Sequence, residues 1–190
     1  RYQLFSFEFH RLIKTVGGTT MHTTFIVNFI GTASPSTIKR LSAITHENGG
    51  KWLISKVNFI DQQVAGVIKV DLPANNAETV KSAFSSTENI VCQFTDADAS
   101  LHDKEEIFSL RVDSTDRAGI VNEITQVLDG QGISILDMDC HRVFIAGGGG
   151  VSSSLFTAEL ALKLPAELNV DDVTRELESL SEDTRVVVEA

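Results

Sequence analysis

Little in this chain marks it as an enzyme, a membrane protein or a nucleic-acid binder. Its 190 residues include only two cysteines, three prolines, one tryptophan and one tyrosine. Cys92 and Cys140 fit no zinc or dithiol spacing, which excludes a disulfide scaffold and a cysteine metal site. In apolar, strand-like surroundings they read as small buried hydrophobes of a reducing, cytoplasmic protein. No apolar run approaches the roughly 20 residues that span a bilayer as a helix. Basic residues are also scarce: 16 Lys and Arg stand against 26 Asp and Glu, a formal charge of −10. Phosphate recognition draws much of its affinity from Lys and Arg, so direct nucleic-acid binding is not expected.

Catalytic and cofactor patterns are missing as well. The run Gly147–Gly150 has no following Lys-Ser/Thr and joins two strands, so it reads as a loop and not as a phosphate cradle. Cys140 and His141 lack a second pair at ligand spacing, and His10, His22, His46 and His102 are scattered. No Ser-His-Asp order sits in a nucleophile elbow. Asp137 and Asp139 flank Met138 on one strand face, which reads as solvated. Neither an enzyme nor a cofactor is expected.

What the chain does contain is one pattern written twice. Phe25-Ile-Val-Asn-Phe-Ile-Gly, Ser34-Pro-Ser-Thr-Ile-Lys-Arg-Leu and Asn48-Gly-Gly-Lys-Trp form the first copy. Phe108-Ser-Leu-Arg-Val-Asp, Arg117-Ala-Gly-Ile-Val-Asn-Glu-Ile and Gln131-Gly-Ile-Ser-Ile form the second. Their anchors lie 83 positions apart, from Pro35 and Ala118 to Gly49 and Gly132. A period that long is a duplicated domain, not a solenoid unit.

Each copy reads as βαββαβ. In the second, Phe108, Leu110 and Val112 alternate with polar residues as a half-buried strand. Ile120, Val121, Ile124, Val127 and Leu128 then share one helical stripe, with Gly130 and Gly132 as stop signals. Strands over 133–145 and 155–164 follow, then a helix striped by Val170, Val173, Leu177 and Leu180, then a strand from Arg185. The first copy predicts strands at 23–30, 50–60, 63–72 and 90–94, with helices at 35–47 and around Ala77–Phe84. The expected domains are 21–95 and 105–190, joined by the acidic linker 96–104. Residues 1–20 read as an extension preceding the fold; Phe5, Phe7 and Phe9 alternate, which leaves an extra strand as the alternative. The fold class is α+β: two ferredoxin-like antiparallel sheets, each with both helices on one face. The uncovered faces invite the copies to pack or extend their sheets together.

The turn Asp116-Arg-Ala-Gly-Ile-Val opens a predicted helix. A helix N-terminus offers unpaired N–H groups and partial positive charge, and Gly119 leaves room for a carboxylate to approach. Asp116 is equally suited to cap the helix. This turn resembles that of ACT domains, small regulatory ferredoxin-like modules that show Asp-(Arg/Lys)-Pro-Gly-(Ile/Leu) there. They show Gly-x-Asn-Ile where the second strand begins; here Gly132-Ile-Ser-Ile takes that place, with Ser134 where Asn is usual. Two copies without an enzyme domain resemble the glycine cleavage system transcriptional repressor family, over about residues 23–190. ACT domains bind small amino acids between two modules, at this turn on one and at the second strand's start on the other. The resemblance therefore implies Asp116, Arg117, Gly119, Ile120 and Ser134 as ligand-binding residues.

The first copy departs from the pattern. Ser34-Pro-Ser-Thr replaces Asp-Arg-Ala-Gly, Ser36 stands where Gly is expected, and Lys51 where Asn is usual. That copy is expected to be structural. The function implied is regulation: sensing a small amino acid, glycine by resemblance, and acting on transcription through a protein partner. The alternative is a module that docks on a metabolic enzyme and adjusts its activity; a homo-oligomer fits either.

With a charge of −10 and no basic helix, the isolated protein is predicted not to bind duplex DNA selectively in about 150 mM salt. Mobility-shift titration checks this, and tight, sequence-selective shifts by the protein alone would refute it.

Overall fold

The computed structural model describes residues 21–32, 34–98, 106–146 and 152–189. The extension 1–20 and the run Gly147–Gly150 therefore lie outside the described residues. The chain divides into two compact units, Arg1–Leu101 and His102–Ala190. In the first, the order is β1 (His22–Thr32), α1 (Pro35–Glu47), β2 (Lys51–Ile60), β3 (Gln63–Pro73), α2 (Ala77–Ser85) and β4 (Ile90–Ala97). In the second it is β5 (Ile107–Thr115), α3 (Ile120–Gly130), β6 (Ser134–Ala146), β7 (Ser152–Lys163), α4 (Val170–Glu178) and β8 (Arg185–Glu189). Both units are βαββαβ, as the periodicity predicts. β4 runs through Asp96 and Ala97, so the strand continues into the stretch expected as linker.

Each unit is one antiparallel sheet, in the orders β2-β3-β1-β4 and β6-β7-β5-β8. β1 and β5 are inner strands, as are β3 and β7, and each is hydrogen-bonded to two neighbours. Phe25, Val27 and Phe29 of β1 point to one face and join Ile68, Val70, Leu41, Val80 and Phe84 in a single core. Leu41 comes from α1, and Val80 and Phe84 from α2, so both helices cover that face. Between these positions Ile30, Val67 and Val91 stay exposed on the other. The second unit repeats the arrangement with Leu110, Val112, Leu160, Ile124, Leu128, Val173 and Leu177. Leu180 packs on this core from beyond α4, which stops at Glu178.

The helix ends show the duplication at backbone level. Gly49 after α1 and Gly132 after α3 both take positive φ, 74° and 70°, which a side chain would strain. Gly50 donates to Thr45 O and Ile133 to Leu128 O, each closing the last turn. Cys92 and Cys140 are half-buried free thiols, less enclosed than expected; burial raises both pKa values above the usual thiol range, so neither is an activated nucleophile. Cys140 packs on the core while its neighbour His141 is exposed beside Asp139, so the two do not form a ligand pair.

Gly31 of β1 lies opposite Ile90, and a Cβ there would sit 1.9 Å from the Asn89 carbonyl oxygen. Gly31→Ala must displace backbone and is predicted to destabilise the first unit by about 1–3 kcal/mol. Trp52, the one tryptophan, packs on that unit's core and donates to Thr45 Oγ1, so its fluorescence reports the transition. An unchanged urea midpoint by this signal would refute the expectation.

Candidate functional site

β5 ends at Thr115, and the chain turns through Asp116–Gly119 into α3. Gly119 is the N-cap, with φ 89° and ψ −5°, and no side chain caps the helix. A Cβ at Gly119 would meet nothing closer than Glu123 Oε1, at 3.8 Å. The site is open by shape, and only the left-handed backbone selects glycine.

Asp116 faces away from the helix it was equally expected to cap. Its Oδ1 accepts from Arg142 Nε at 3.0 Å and its Oδ2 from Ser154 Oγ at 3.2 Å. Its own N–H donates to the Ser154 carbonyl at 2.8 Å. Arg117 lies on the helix side, where its guanidinium pairs with Glu123 and donates to Ser114 Oγ at 3.4 Å. Glu123, in the first turn of α3, is a favourable charge near the helix's positive end. Ile120 is a core residue, 1% exposed, so only its backbone belongs to the turn.

Ser134 is not with the others. It begins β6 opposite Lys163, which pairs with Ile107 at the start of β5, whereas the turn follows Thr115 at the other end. At about 3.3 Å per residue, the eight steps separate them by roughly 26 Å. One unit thus brings Asp116, Arg117, Gly119 and Ile120 together and leaves Ser134 apart. A small amino acid touching both places needs a second module.

Below the turn, hydroxyls fix the end of β5. Ser114, 3% exposed, is 3.2 Å from Thr184 Oγ1, and Asp183 accepts the Thr115 N–H at 2.7 Å and the Ser181 hydroxyl at 2.6 Å. The Ser181 and Thr115 hydrogen bonds hold the Asp183 carboxyl well below the usual carboxylate range. Glu123, Arg142, Ser154 and Asp183 were all missed in the sequence, because each reaches the turn from a different element or along a helix without a distinctive spacing.

The first unit is closed at the matching place. Ser34 caps α1, accepting from Ser36 N–H at 3.4 Å with its Oγ 2.8 Å from Ser36 Oγ, and Pro35 is in the first turn. Buried Thr37 occupies the position of Ile120, so α1 starts two residues earlier than α3. Ser36 is consequently inside the helix. At this place the turn is absorbed into the helix. Lys51 begins β2 opposite Asp71, the counterpart of Ser134 at the far end.

Asp137 and Asp139 do share the uncovered face, in a shallow hollow of about 220 Å³ also lined by Glu159 and Glu189. Among the described residues no group of three His, Cys, Asp or Glu is placed to hold a metal ion, and no described helix is long and apolar enough to cross a membrane.

The fold is a tandem pair of ferredoxin-like βαββαβ modules. No family model matches the chain, and no curated protein matches it. Among solved structures, an unknown protein from Galdieria sulphuraria is similar at 18% identity and TM-score 0.75, covering 89% of this chain and 98% of that one. A candidate glycine cleavage system transcriptional repressor is similar at 10% identity and TM-score 0.61, covering 89% of this chain and 99% of that one. Both likenesses span the two units and concern the fold.

Because the folded Asp183 carboxyl titrates below its unfolded value, its contribution is complete above that value and is lost as pH falls through the folded one. Asp183→Asn is predicted to flatten the acid limb of stability below about pH 4. Urea midpoints measured across that limb check this; parallel curves for the two proteins would refute it.

Proposed function

We propose that this chain is a non-enzymatic regulator that senses a small amino acid and acts through a protein partner on transcription of glycine cleavage genes. The observation that carries the reading is the uncapped N-terminus of α3, opened by left-handed Gly119 and flanked by Arg117. Exposed N–H groups and a guanidinium suit a ligand carboxylate. To bind there, the carboxylate competes with Glu123, which already pairs with Arg117. The ligand's remaining contacts come from a second module, at a strand start equivalent to Ser134. Glycine and transcription are supported by the sequence resemblance and by the description of one structural relative, whose fold this chain shares. The charge of −10 is why action on DNA is routed through a partner. Capture of partners by the tagged full-length protein from its native cell tests this: recovery of a transcription regulator supports the reading, and recovery of a metabolic enzyme alone replaces it with enzyme docking.

Calorimetry with glycine, alanine and serine is predicted to detect binding that Gly119→Val abolishes and Ser36→Val preserves. Valine at φ 89° strains the turn by about 1–3 kcal/mol, whereas Ser36 lies in the first helical turn. Binding lost with Ser36→Val and kept with Gly119→Val would place the site in the first unit.

A further inference from the structure

The two hairpins differ in length, and the difference falls beside the turn. Ser55, Ile68 and Val27 lie in register in the first unit, as Met138, Leu160 and Leu110 do in the second. Ser55 and Met138 keep the 83-residue offset of Val27 and Leu110, while Ile68 and Leu160 are 92 apart. The β6–β7 hairpin has therefore gained nine residues. In the first unit the hairpin bends at Asp61 and Gln62, and Thr32, the last residue of β1, pairs with Gln63. Nothing in that ladder extends past the central strand. In the second unit Thr115 pairs with Leu155, and the ladder continues beyond it through Phe144–Ser154 and Ile145–Ser153.

That extension reaches the turn. Ser154, the first residue past the shared ladder, supplies a carbonyl to Asp116 N–H and a hydroxyl to its carboxylate, and Arg142, which takes the place of Phe59 on the shared part of the hairpin, supplies its Nε. Arg142 is itself seated over the ring of fully buried Phe156, 5.4 Å from its centre, so it is anchored to the core. Both carboxylate oxygens of Asp116 thus hydrogen-bond to the hairpin. Beyond it the arm exposes Val143, Phe144 at 78% and Ile145.

We infer that the lengthened β6–β7 hairpin is a coupling arm that sets the conformation of the turn, with Arg142 and Ser154 as positioning residues and Asp116 as the joint. The second unit has no side-chain cap on α3, whereas the first has Ser34; the arm takes over the task of holding the turn. Its functional consequence rests on the turn being the ligand site: whatever displaces the arm alters the affinity of the turn, and a ligand at the turn alters the arm by the same coupling energy.

Hydrogen–deuterium exchange on the full chain tests the arm without any ligand. In Arg142→Ala/Ser154→Ala, two charge-assisted or polar bonds are lost, and amides of 116–122 are expected to exchange about tenfold faster. Peptides of α4 and of the first unit should be unchanged, and Asp116→Arg combined with Arg142→Asp should restore much of the protection that either change alone removes. Unchanged exchange at the turn overturns the proposal, as does acceleration spread through α3, α4 and the sheet, which marks an ordinary stabilising contact. Calorimetry with glycine on the unaltered protein is the separate measure of the ligand reading: absence of heat there removes that reading and leaves the exchange result standing.

Discussion

A four-stranded sheet covered on one side needs a central strand that satisfies two neighbours at once, and everything else in each unit is placed by it. β1 and β5 donate and accept along both edges while sending alternate side chains into the core. Burial of each such Phe, Val or Leu stabilises by about 1.5–3 kcal/mol before conformational entropy is set against it. The same strand is a ruler. Its C-terminal end delivers the turn, and its N-terminal end lies near the start of the hairpin's outer strand, so the two groups of candidate residues are held apart by the strand's own length.

The turn and the start of the outer strand lie at opposite ends of one sheet, farther apart than a small molecule can reach. Once two copies exist, they need not remain equal. The first unit has absorbed its turn into α1 through Ser34, Pro35 and Ser36, and the second has kept an uncapped helix with Gly119 in the left-handed region. One helix start is capped by a side chain and the other is not.

Much of the fold was legible because it depends on local periodicity. Phe25, Val27 and Phe29 alternate inward as the strand pattern demands, and Ile120, Ile124 and Leu128 occupy one helical face. Gly49 and Gly132 sit where helix ends need positive φ, and their equal spacing from the stripes gave the repeat its register. The candidate site was less legible. Asp116 looks like a cap in sequence, yet its partners Arg142 and Ser154 lie 26 and 38 residues away, on strands whose pairing depends on the sheet order. The nine extra hairpin residues are visible as a change of offset only once the ladder shows which residues are opposite. Ile120 fits the motif but is required by the core, because the motif and the helical stripe overlap at that position.

β8 has a different consequence. It is a five-residue strand at the rim of its sheet, Arg185-Val-Val-Val-Glu189, with Val187 and Val188 41% and 44% exposed. A longer stretch of such valines would be a template for fibril-like stacking. Here Arg185 and Glu189 place a cation and an anion on either side of the three valines, and charge of that kind on an edge strand opposes pairing with another sheet.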